Sequence, residues 1–507
     1  MSVPWKPREP VKYRGPSALM AALGRALYTV FRPIVPRIAF LIFLASLVAI
    51  AVFVFAVALL FGFVDERLIA APTNGGEVGL GGAPLTLTEI AGGLQAAGAP
   101  WRGLLKFLLW PLQYAIVRDL IIALGIFTFL CVTPAFVIWW ERKSAGRIQS
   151  RPGPMRVGGW HGWAQSAADG IKLICKEDLV PDDADGPLFR LAPYLVFVPV
   201  ATAFLVLPFG SYWVLRHLDT ALIFVLAMLG IEVIGVIVAG WASHSKWAIY
   251  GGMREACQMV SYEIPMGMAL LIPVMCVGSL SLTAIGDVQS GGWHTWLAFR
   301  NPFTFGAALI YFIASLASCK RAPFDLPEGE SELVAGFLTE YSGFRWALFF
   351  FAEYAAMFVV AGLMTVLFLG AWYSPLPAHW GDRLGDGVWA RALKGLLFSG
   401  PAWFVVKAYL VLFIQIWIRW TLPRIRIDQV LYACVQVMLP VTMVLLLANT
   451  VWELVAPEAS LLFKVVNTIV ALIGAVLAVS FLIVAVKGFV RRRPLVGYLA
   501  VDLLPGG

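Results

Sequence analysis

Charged residues are scarce in this chain of 507 residues. Asp, Glu, Lys and Arg make up 13% of the sequence, whereas soluble domains carry about 25%. Hydrophobic residues make up 60%. The length alone would suggest about three soluble domains, but so few polar side chains could not coat several water-soluble globules. The composition therefore excludes a soluble protein and predicts a chain embedded in lipid.

Cysteine is also sparse, and its spacing excludes several classes of site. The six cysteines lie far apart without a Cys-x-x-Cys pair, at 131, 175, 257, 276, 319 and 434. This is not a zinc, iron–sulfur or disulfide pattern. Most of these cysteines fall in or beside apolar runs, which is typical of buried cysteines that act as small hydrophobic residues. We expect this chain to bind no metal or iron–sulfur cluster by itself.

Long apolar runs dominate the sequence. A bilayer core needs about 20 apolar residues per helix, and about ten runs reach that length. We predict an all-α polytopic membrane protein with spans at 38–64, 119–140, 190–210, 221–242, 260–282, 303–319, 344–371, 396–420, 430–452 and 464–488.

The first run is not a secretory signal. It is longer than the 7–15 apolar residues of a signal peptide and follows the polar, basic segment 1–37. We therefore interpret 38–64 as an uncleaved transmembrane anchor. The connection 65–118 is rich in Gly and Ala, and within it 102–116 is typical of a short interfacial piece. Residues 453–507 add a last span and a tail.

The net charge of +8 is interpreted as a topology signal, because a nucleic-acid binder would need a solvated basic face. Placing alternate loops on opposite sides assigns most of the 38 Lys and Arg residues to one side. That side is the cytoplasm by the positive-inside rule. Both termini are predicted to be cytoplasmic, together with the two long polar loops 141–187 and 320–343.

The first of these loops concentrates arginine around a rigid turn. Arg142, Arg147, Arg151 and Arg156 surround the Arg-Pro-Gly-Pro sequence at 151–154, which restricts the backbone while the guanidinium groups remain available. Residues 160–175 then place apolar side chains at helical spacing, which predicts an interfacial amphipathic helix. The alternative is a plain loop that holds lipid headgroups, but the interleaved Gln and acidic residues are not needed for lipid anchoring.

Acidic side chains inside apolar runs are the second notable feature. Glu232, Glu263 and Glu353 lie in predicted spans, where a charge costs about 2.5–3.5 kcal/mol even on insertion scales. Glu232 is near the centre of its run and has no basic neighbour in the sequence. A single such residue could be a protonated acid that bonds two helices. Several together favour a proton relay.

The second cytoplasmic loop is crowded with acids. Lys320, Arg321 and Arg345 accompany these acids, and Pro323 and Pro327 stiffen the turn. Such crowding couples the titration of neighbouring carboxyls, whereas the alternative, an ordinary solvated acidic loop, is less expected between two spans. The acids of this loop are Asp325, Glu328, Glu330, Glu332 and Glu340.

Long motifs in these regions carry a resemblance to a known family. They are ERK..GRIQ.RPGP.RVG, ADGIKLICKED, GWASHSKWA, QMVSYEIP, KRAPFDLPEGESELVAGF and IRWTLPRIRIDQ. Spread over roughly 140–440, they resemble the H subunit of proton-pumping NADH:quinone oxidoreductase, the counterpart of the mitochondrially encoded subunit 1 of respiratory complex I. The resemblance implies an eight-helix core, here about 119–452. The predicted spans at 38–64 and 464–488 and the connection 65–118 lie outside this core, so they are predicted from the apolar runs alone.

The resemblance also implies a function. Members of the family form much of the chamber that admits the lipid quinone, at the junction of the membrane arm and the peripheral arm, and their acids begin a proton path. It implies a translocase subunit in a bacterial inner membrane, with quinone as substrate, while partner subunits carry flavin and iron–sulfur clusters. This agrees with the residue-based prediction of a polar cytoplasmic mouth beside apolar helices.

Individual positions follow from the matching motifs. The quinone side is assigned to Arg142, Arg147, Gln149, Arg151, Pro152, Gly153, Arg156 and Arg321. The proton path is assigned to Glu263, Asp325, Glu328, Glu330, Glu332, Glu340 and Glu353. Glu232 joins the path on the ground of its burial. Arg424, Arg426 and Asp428 match the last cytoplasmic loop.

Three positions depart from the family pattern. Met155 stands where Asn is usual, Gln436 where Lys is frequent, and Ser318 where many members have Glu. These departures change the charge balance that is expected of the acidic cluster.

Three other functions compete with this assignment. A related subunit of a membrane-bound hydrogenase shares the scaffold, but the full Arg-Pro-Gly-Pro motif favours the quinone enzyme. A free-standing transporter would show inverted repeats, and the two halves show no such symmetry. The extra spans could also make the chain a scaffold for an accessory subunit.

Overall fold

A computed structural model of the chain describes residues 115–158, 160–211, 214, 216–376 and 400–455, and a few positions between 465 and 473. The predicted anchor 38–64, the connection up to residue 114 and most of the predicted span 464–488 lie outside these residues. Throughout the described part, every regular element is helical.

Eight predicted core spans each fall on a helix. Among the described residues, six helical stretches are long and apolar enough to cross a membrane. The helix Pro302–Ser318, with 17 residues, is shorter, and the helix Ala115–Ile148 contains the predicted span 119–140. The all-helical membrane fold is thereby confirmed. The elements are α1 Ala115–Ile148, α2 Gln165–Cys175, α3 Gly186–Val206, α4 Ala221–Ala242, α5 Lys246–Val277, α6 Leu282–Val288, α7 Pro302–Ser318, α8 Glu330–Leu333, α9 Gly343–Phe368, α10 Gly400–Thr421, α11 Ile427–Leu431 and α12 Leu439–Val455, the last two joined by a π-helical segment at Tyr432–Met438.

One boundary differs clearly from the prediction. The polar stretch 243–259 is expected from its composition to be a cytoplasmic loop, but α5 begins at Lys246, so that most of it is helical. Polar residues within this part of α5 have protein partners, because Arg254 binds Glu332 and Gln258 donates to the Ala317 carbonyl. A helix can therefore continue through a polar sequence, although the hydropathy pattern predicts that the helix ends there.

Local capping explains where several helices begin and end. Asn301 accepts a hydrogen bond from the Thr304 amide at 2.7 Å, and Pro302 occupies the first turn, so α7 has a strong N-terminal signal. α5 ends at Gly278 in the left-handed conformation with φ 76°, which glycine adopts without steric cost.

The centre of the described bundle is α9, the most buried of the six membrane-length helices. It packs against α3, α10 and α1. Small residues such as Ala352 and Ala355 are fully buried there, and they allow neighbouring helices to approach closely. Most side chains in the apolar part of α9 therefore lie in the protein interior.

A buried lysine closes the far end of α9. The Lys407 ammonium on α10 lies within hydrogen-bond distance of four backbone carbonyls, those of Leu369, Gly370, Ala371 and Tyr373, at 2.6–3.1 Å. These carbonyls belong to the residues that follow α9, and the ammonium gives them a buried hydrogen-bonding partner. A charge inside an apolar run is thereby accounted for.

The loop 320–343 lies directly against α5. A Cβ atom at Gly251 would come within 2.6 Å of the Phe337 amide nitrogen and 2.8 Å of the Pro327 carbonyl oxygen. No side chain fits in that space, so glycine permits the close approach of loop and helix.

The predicted amphipathic segment 160–175 is helical from Gln165 to Cys175, and none of the residues of this helix, α2, is buried. Asp169 of α2 forms an ion pair with Arg142 at the end of α1. This contact holds α2 beside the Arg-rich loop, as the position of an interfacial helix requires.

Candidate functional site: a buried network of charges

Two consecutive cations lie buried just after the end of α7. Lys320 and Arg321 have 4% and 1% of their surface exposed. Lys320 adopts a left-handed backbone conformation with φ 52°. Two adjacent buried cations require carboxylate partners on other helices. Lys320 and Arg321 each have a separate set of carboxylate partners.

Lys320 lies between two glutamates. Its ammonium donates to Glu232 Oε1 of α4 at 2.9 Å and lies 3.8 Å from Glu255 Oε1 of α5. Burial alone would lower the pKa of Lys320, but the two carboxylates outweigh it and raise the pKa, so the ammonium stays charged. The partner of Glu232 is thus 88 residues away in the sequence.

Arg321 joins α1 to α9. Its Nε lies 2.7 Å from Glu353 Oε1, and its Nη1 lies 3.3 Å from Glu141 Oε2. Burial opposes the charge of Arg321, but Glu353, Tyr354 and Glu141 raise the pKa of the guanidinium well above its usual range. The guanidinium also lies over the Tyr354 ring, 4.2 Å from its centroid.

Glu141 is held by three donors. In addition to Arg321, Tyr354 donates to Glu141 Oε2 at 2.6 Å, and Arg419 of α10 donates to Glu141 Oε1 at 2.7 Å. Such charge-assisted bonds stabilise a buried carboxylate. Glu141 and Arg142 both lie in the last turns of α1, which continues to Ile148, so the buried network begins near the end of α1 from which the Arg-rich turn follows.

The loop 320–343, called the acidic loop below, continues the network beyond Lys320 and Arg321. Burial raises the pKa of Glu328 well above its ordinary value, and the negative charges of Glu353 and Asp325 raise it further. Glu328 therefore holds a proton more readily than a solvated glutamate does.

The middle of the same loop, at Glu332, is half exposed. Glu332 accepts a hydrogen bond from Arg254 at 2.7 Å and lies 3.5 Å from Arg424. The hydrogen bond from Arg254 is the main reason why the pKa of Glu332 is lowered. This carboxylate thus stays ionised beside water.

The remaining predicted acids stand apart from these ion pairs. Glu263 is partly buried on α5, where its Oε1 would lie 3.5 Å from a Cβ atom at Gly230 of α4. Glu340 is partly buried near the end of the loop. Neither forms an ion pair with another described residue. Glu330 begins α8, and its side chain is not among the described groups.

Most of the predicted quinone-side residues lie on an exposed turn. Arg147, Arg151 and Arg156 are exposed, and Arg151 donates to Gln149 at 2.6 Å. Gly153 has φ 67° and its missing Cβ would lie 3.1 Å from the Arg142 carbonyl, so the turn packs on the end of α1. Exposed Pro152 adjoins it. Arg321 lies instead inside the bundle.

Several members of the network are not predicted from the sequence. Glu255 falls in a stretch with the composition of a solvated loop, and Glu141 is only part of a motif. A signal for Glu255 exists, because Glu255, Gln258 and Tyr262 recur at helical spacing and would lie on one face. Lys320, Tyr354 and Arg419 give no comparable signal, since their partners are far away in the sequence.

The part of the chain that the structure describes contains no group of three or more His, Cys, Asp or Glu side chains that could hold a metal ion. The clustered carboxylates face lysine and arginine instead.

Comparison with known proteins gives a consistent assignment. Residues 121–450 match the family described as NADH dehydrogenase. A protein of Anaeromyxobacter dehalogenans, named as the H subunit of NADH-quinone oxidoreductase, is 39% identical over 399 residues, covering 78% of this chain and 95% of its own length. Proteins of the same name from Chlorobium luteolum and Geobacillus kaustophilus are 44% and 42% identical, covering 63% and 62% of this chain and 85% and 89% of their own lengths. These matches confirm the resemblance seen in the motifs, and the chain belongs to the NADH dehydrogenase family.

Proposed function

We propose that this chain is the membrane subunit of a proton-translocating NADH:quinone oxidoreductase. One observation carries the proposal: buried ion pairs run from Glu141, at the edge of the Arg-rich loop, through Arg321 and Lys320 to Glu232 within α4. A charged chain through an apolar bundle is costly. Its presence fits a protein that moves protons.

The division of labour follows from the composition of the chain. Partner subunits carry flavin and iron–sulfur clusters, and this subunit supplies a shaped quinone site and titratable groups. The Arg-rich loop, the acidic loop and both termini face the cytoplasm of a bacterial inner membrane.

The quinone site lies at the cytoplasmic end of α1 in this proposal. The exposed Arg147, Arg151 and Arg156 are available to the polar quinone head and to the peripheral subunits. α2 lies beside them with no residue buried. Its unoccupied apolar face suits a lipid surface or the isoprenoid tail.

Proton movement begins with the acids nearest this end. Quinone reduction changes the charge beside the loop, and Glu328, with its raised pKa, responds by exchanging a proton with Glu353 or Asp325. Arg321 and Lys320 are adjacent in the chain, so a shift of one changes the field at the other. Glu232 receives the signal within α4.

The test uses Glu232→Gln in the assembled complex in everted vesicles. We expect NADH oxidation to persist while fewer protons are pumped per electron, because the amide cannot carry a proton. Asp183→Asn is the matched control, since Asp183 is exposed in a loop. An unchanged proton-to-electron ratio in Glu232→Gln contradicts the role of Glu232.

The activity itself is tested by purification in mild detergent with identification of the bound subunits. Co-purified flavin subunits and quinone reductase activity support the proposal. A nickel subunit would identify a hydrogenase, and proton-coupled uptake by the chain alone would identify a transporter. Deleting residues 1–100 distinguishes a scaffold, because the core assignment predicts that quinone reductase activity is retained.

A further inference from the structure

Glu255 is the least compensated of the buried acids. Its surface is 1% exposed, and neither carboxyl oxygen accepts a hydrogen bond from a described residue. Lys320, at 3.8 Å, is the cation within ion-pair distance. That cation already donates to Glu232 at 2.9 Å, so one ammonium faces two buried carboxyls.

The charge balance of this trio requires a proton. If Glu232 and Glu255 were both ionised, one negative charge would remain buried without compensation. Two coupled carboxyls around one cation share a single proton instead. Glu255 is the better site for that proton, because Glu232 receives the short hydrogen bond from Lys320. The other titratable group facing Glu255 is Tyr262.

Glu255 also lies where a family acid is missing. One face of α5 follows the end of α7 through two contacts: Gln258 donates to the Ala317 carbonyl at 2.8 Å, and Glu255 approaches Lys320. Ser318 stands where many family members have Glu. The carboxyl absent at 318 and the carboxyl present at 255 thus belong to the same contact between helices.

The position of Glu255 connects the outside of the protein with its interior. Its neighbour Arg254 binds the half-exposed Glu332, whereas Glu255 itself faces Lys320 and Glu232. On α5, Glu255 is therefore the buried carboxyl that directly follows the residue in contact with the acidic loop.

We propose that Glu255 holds a proton and passes it between the acidic loop and Glu232, and that it replaces the carboxyl that many family members carry at the position of Ser318. In this step the O–H bond of Glu255 breaks and an O–H bond forms on Glu232, while Lys320 keeps one positive charge. The inference rests on the proposed proton-translocating function.

The experiment compares Glu255→Gln with the double variant Glu255→Gln/Ser318→Glu in the assembled complex. In everted vesicles, we expect the single variant to pump protons at least about a hundredfold more slowly, as loss of a general acid–base group does. NADH oxidation by an artificial acceptor stays unchanged, because that reaction does not use the membrane arm. The double variant is expected to recover at least about half of the pumping rate.

The relocated carboxyl separates a proton carrier from a merely structural residue. Recovery in the double variant supports the inference even if Glu255→Gln alone fails to assemble. Normal pumping by Glu255→Gln, or no recovery in the double variant, overturns it. If Glu255→Gln pumps normally while Glu232→Gln does not, the inference fails and the proposed function stands. If the wild-type complex neither reduces quinone nor pumps, the proposed function itself fails.

Discussion

The loop 320–343 takes part in two ion pairs of the same length in different surroundings, one at its beginning and one at its middle. Arg321–Glu353 and Arg254–Glu332 both measure 2.7 Å. The side chains of the first pair are 1% and 9% exposed, and those of the second are 27% and 50% exposed. The two ion pairs therefore differ in exposure and not in distance. We expect the fold to depend more on the buried pair than on the exposed pair.

The same contrast governs titration. Glu328 and Glu332 are four residues apart, yet burial raises the pKa of Glu328 and the hydrogen bond from Arg254 lowers that of Glu332. One short loop thus contains an acid that holds its proton and an acid that releases it. The following experiments test this difference.

The largest effect is expected from Arg321→Ala. Removing one partner of a buried ion pair leaves the other charge uncompensated and costs roughly 3–5 kcal/mol. Glu353 would lose its guanidinium partner and Glu141 one of three donors, so we expect loss of the assembled complex. The measurement is the yield of intact complex on a native gel. Wild-type yield would show that the buried pair tolerates disruption.

A double-mutant cycle sharpens that result. Arg321→Met and Glu353→Gln are measured singly and together by thermal dissociation of the complex. We expect the double variant to be less destabilised than the sum of the singles, by about 1–3 kcal/mol, because removing both charges leaves none unpaired. Strict additivity would mean that the two groups do not interact.

A smaller, pH-dependent effect is expected for Glu328→Gln. Because the pKa of Glu328 is raised in the folded state, its contribution to stability is full below its ordinary value of 4.5 and is lost as the pH rises towards the raised value. The variant should therefore lose less stability than the wild type as the pH rises above 4.5 towards the raised pKa of Glu328. Thermal dissociation across this range measures it, and parallel curves would contradict the burial of this carboxyl.

The smallest effect is expected for Glu332→Gln. A partly exposed pair contributes about 0.2–1 kcal/mol, and salt screens it. The lowered pKa means that this contribution is present above 4.5 and is lost as the pH falls through the lowered value. High salt should abolish the difference from the wild type. A salt-independent loss of several kcal/mol would contradict the expected difference between the buried pair Arg321–Glu353 and the exposed pair Arg254–Glu332.

The sequence was sufficient for the spans and for part of the site. The core spans follow from apolar runs, because lipid demands about 20 such residues per helix. The placement of Glu232 in an apolar run correctly required a partner. That partner, Lys320, could not be inferred, since α4 and α7 both pack against α5 and this arrangement brings the two residues together. Glu255 was missed because its polar surroundings indicated a loop, although buried contacts keep it helical.

The close contact at Gly251 has a consequence for how this protein can vary. The amide of Phe337 and the carbonyl of Pro327 occupy the space that a side chain at 251 would need. A substitution on the helix could be accepted only together with a change in the path of the loop. Although these residues lie more than seventy positions apart in the chain, we expect them to covary among relatives. An insertion in the loop should be accompanied by a change at position 251.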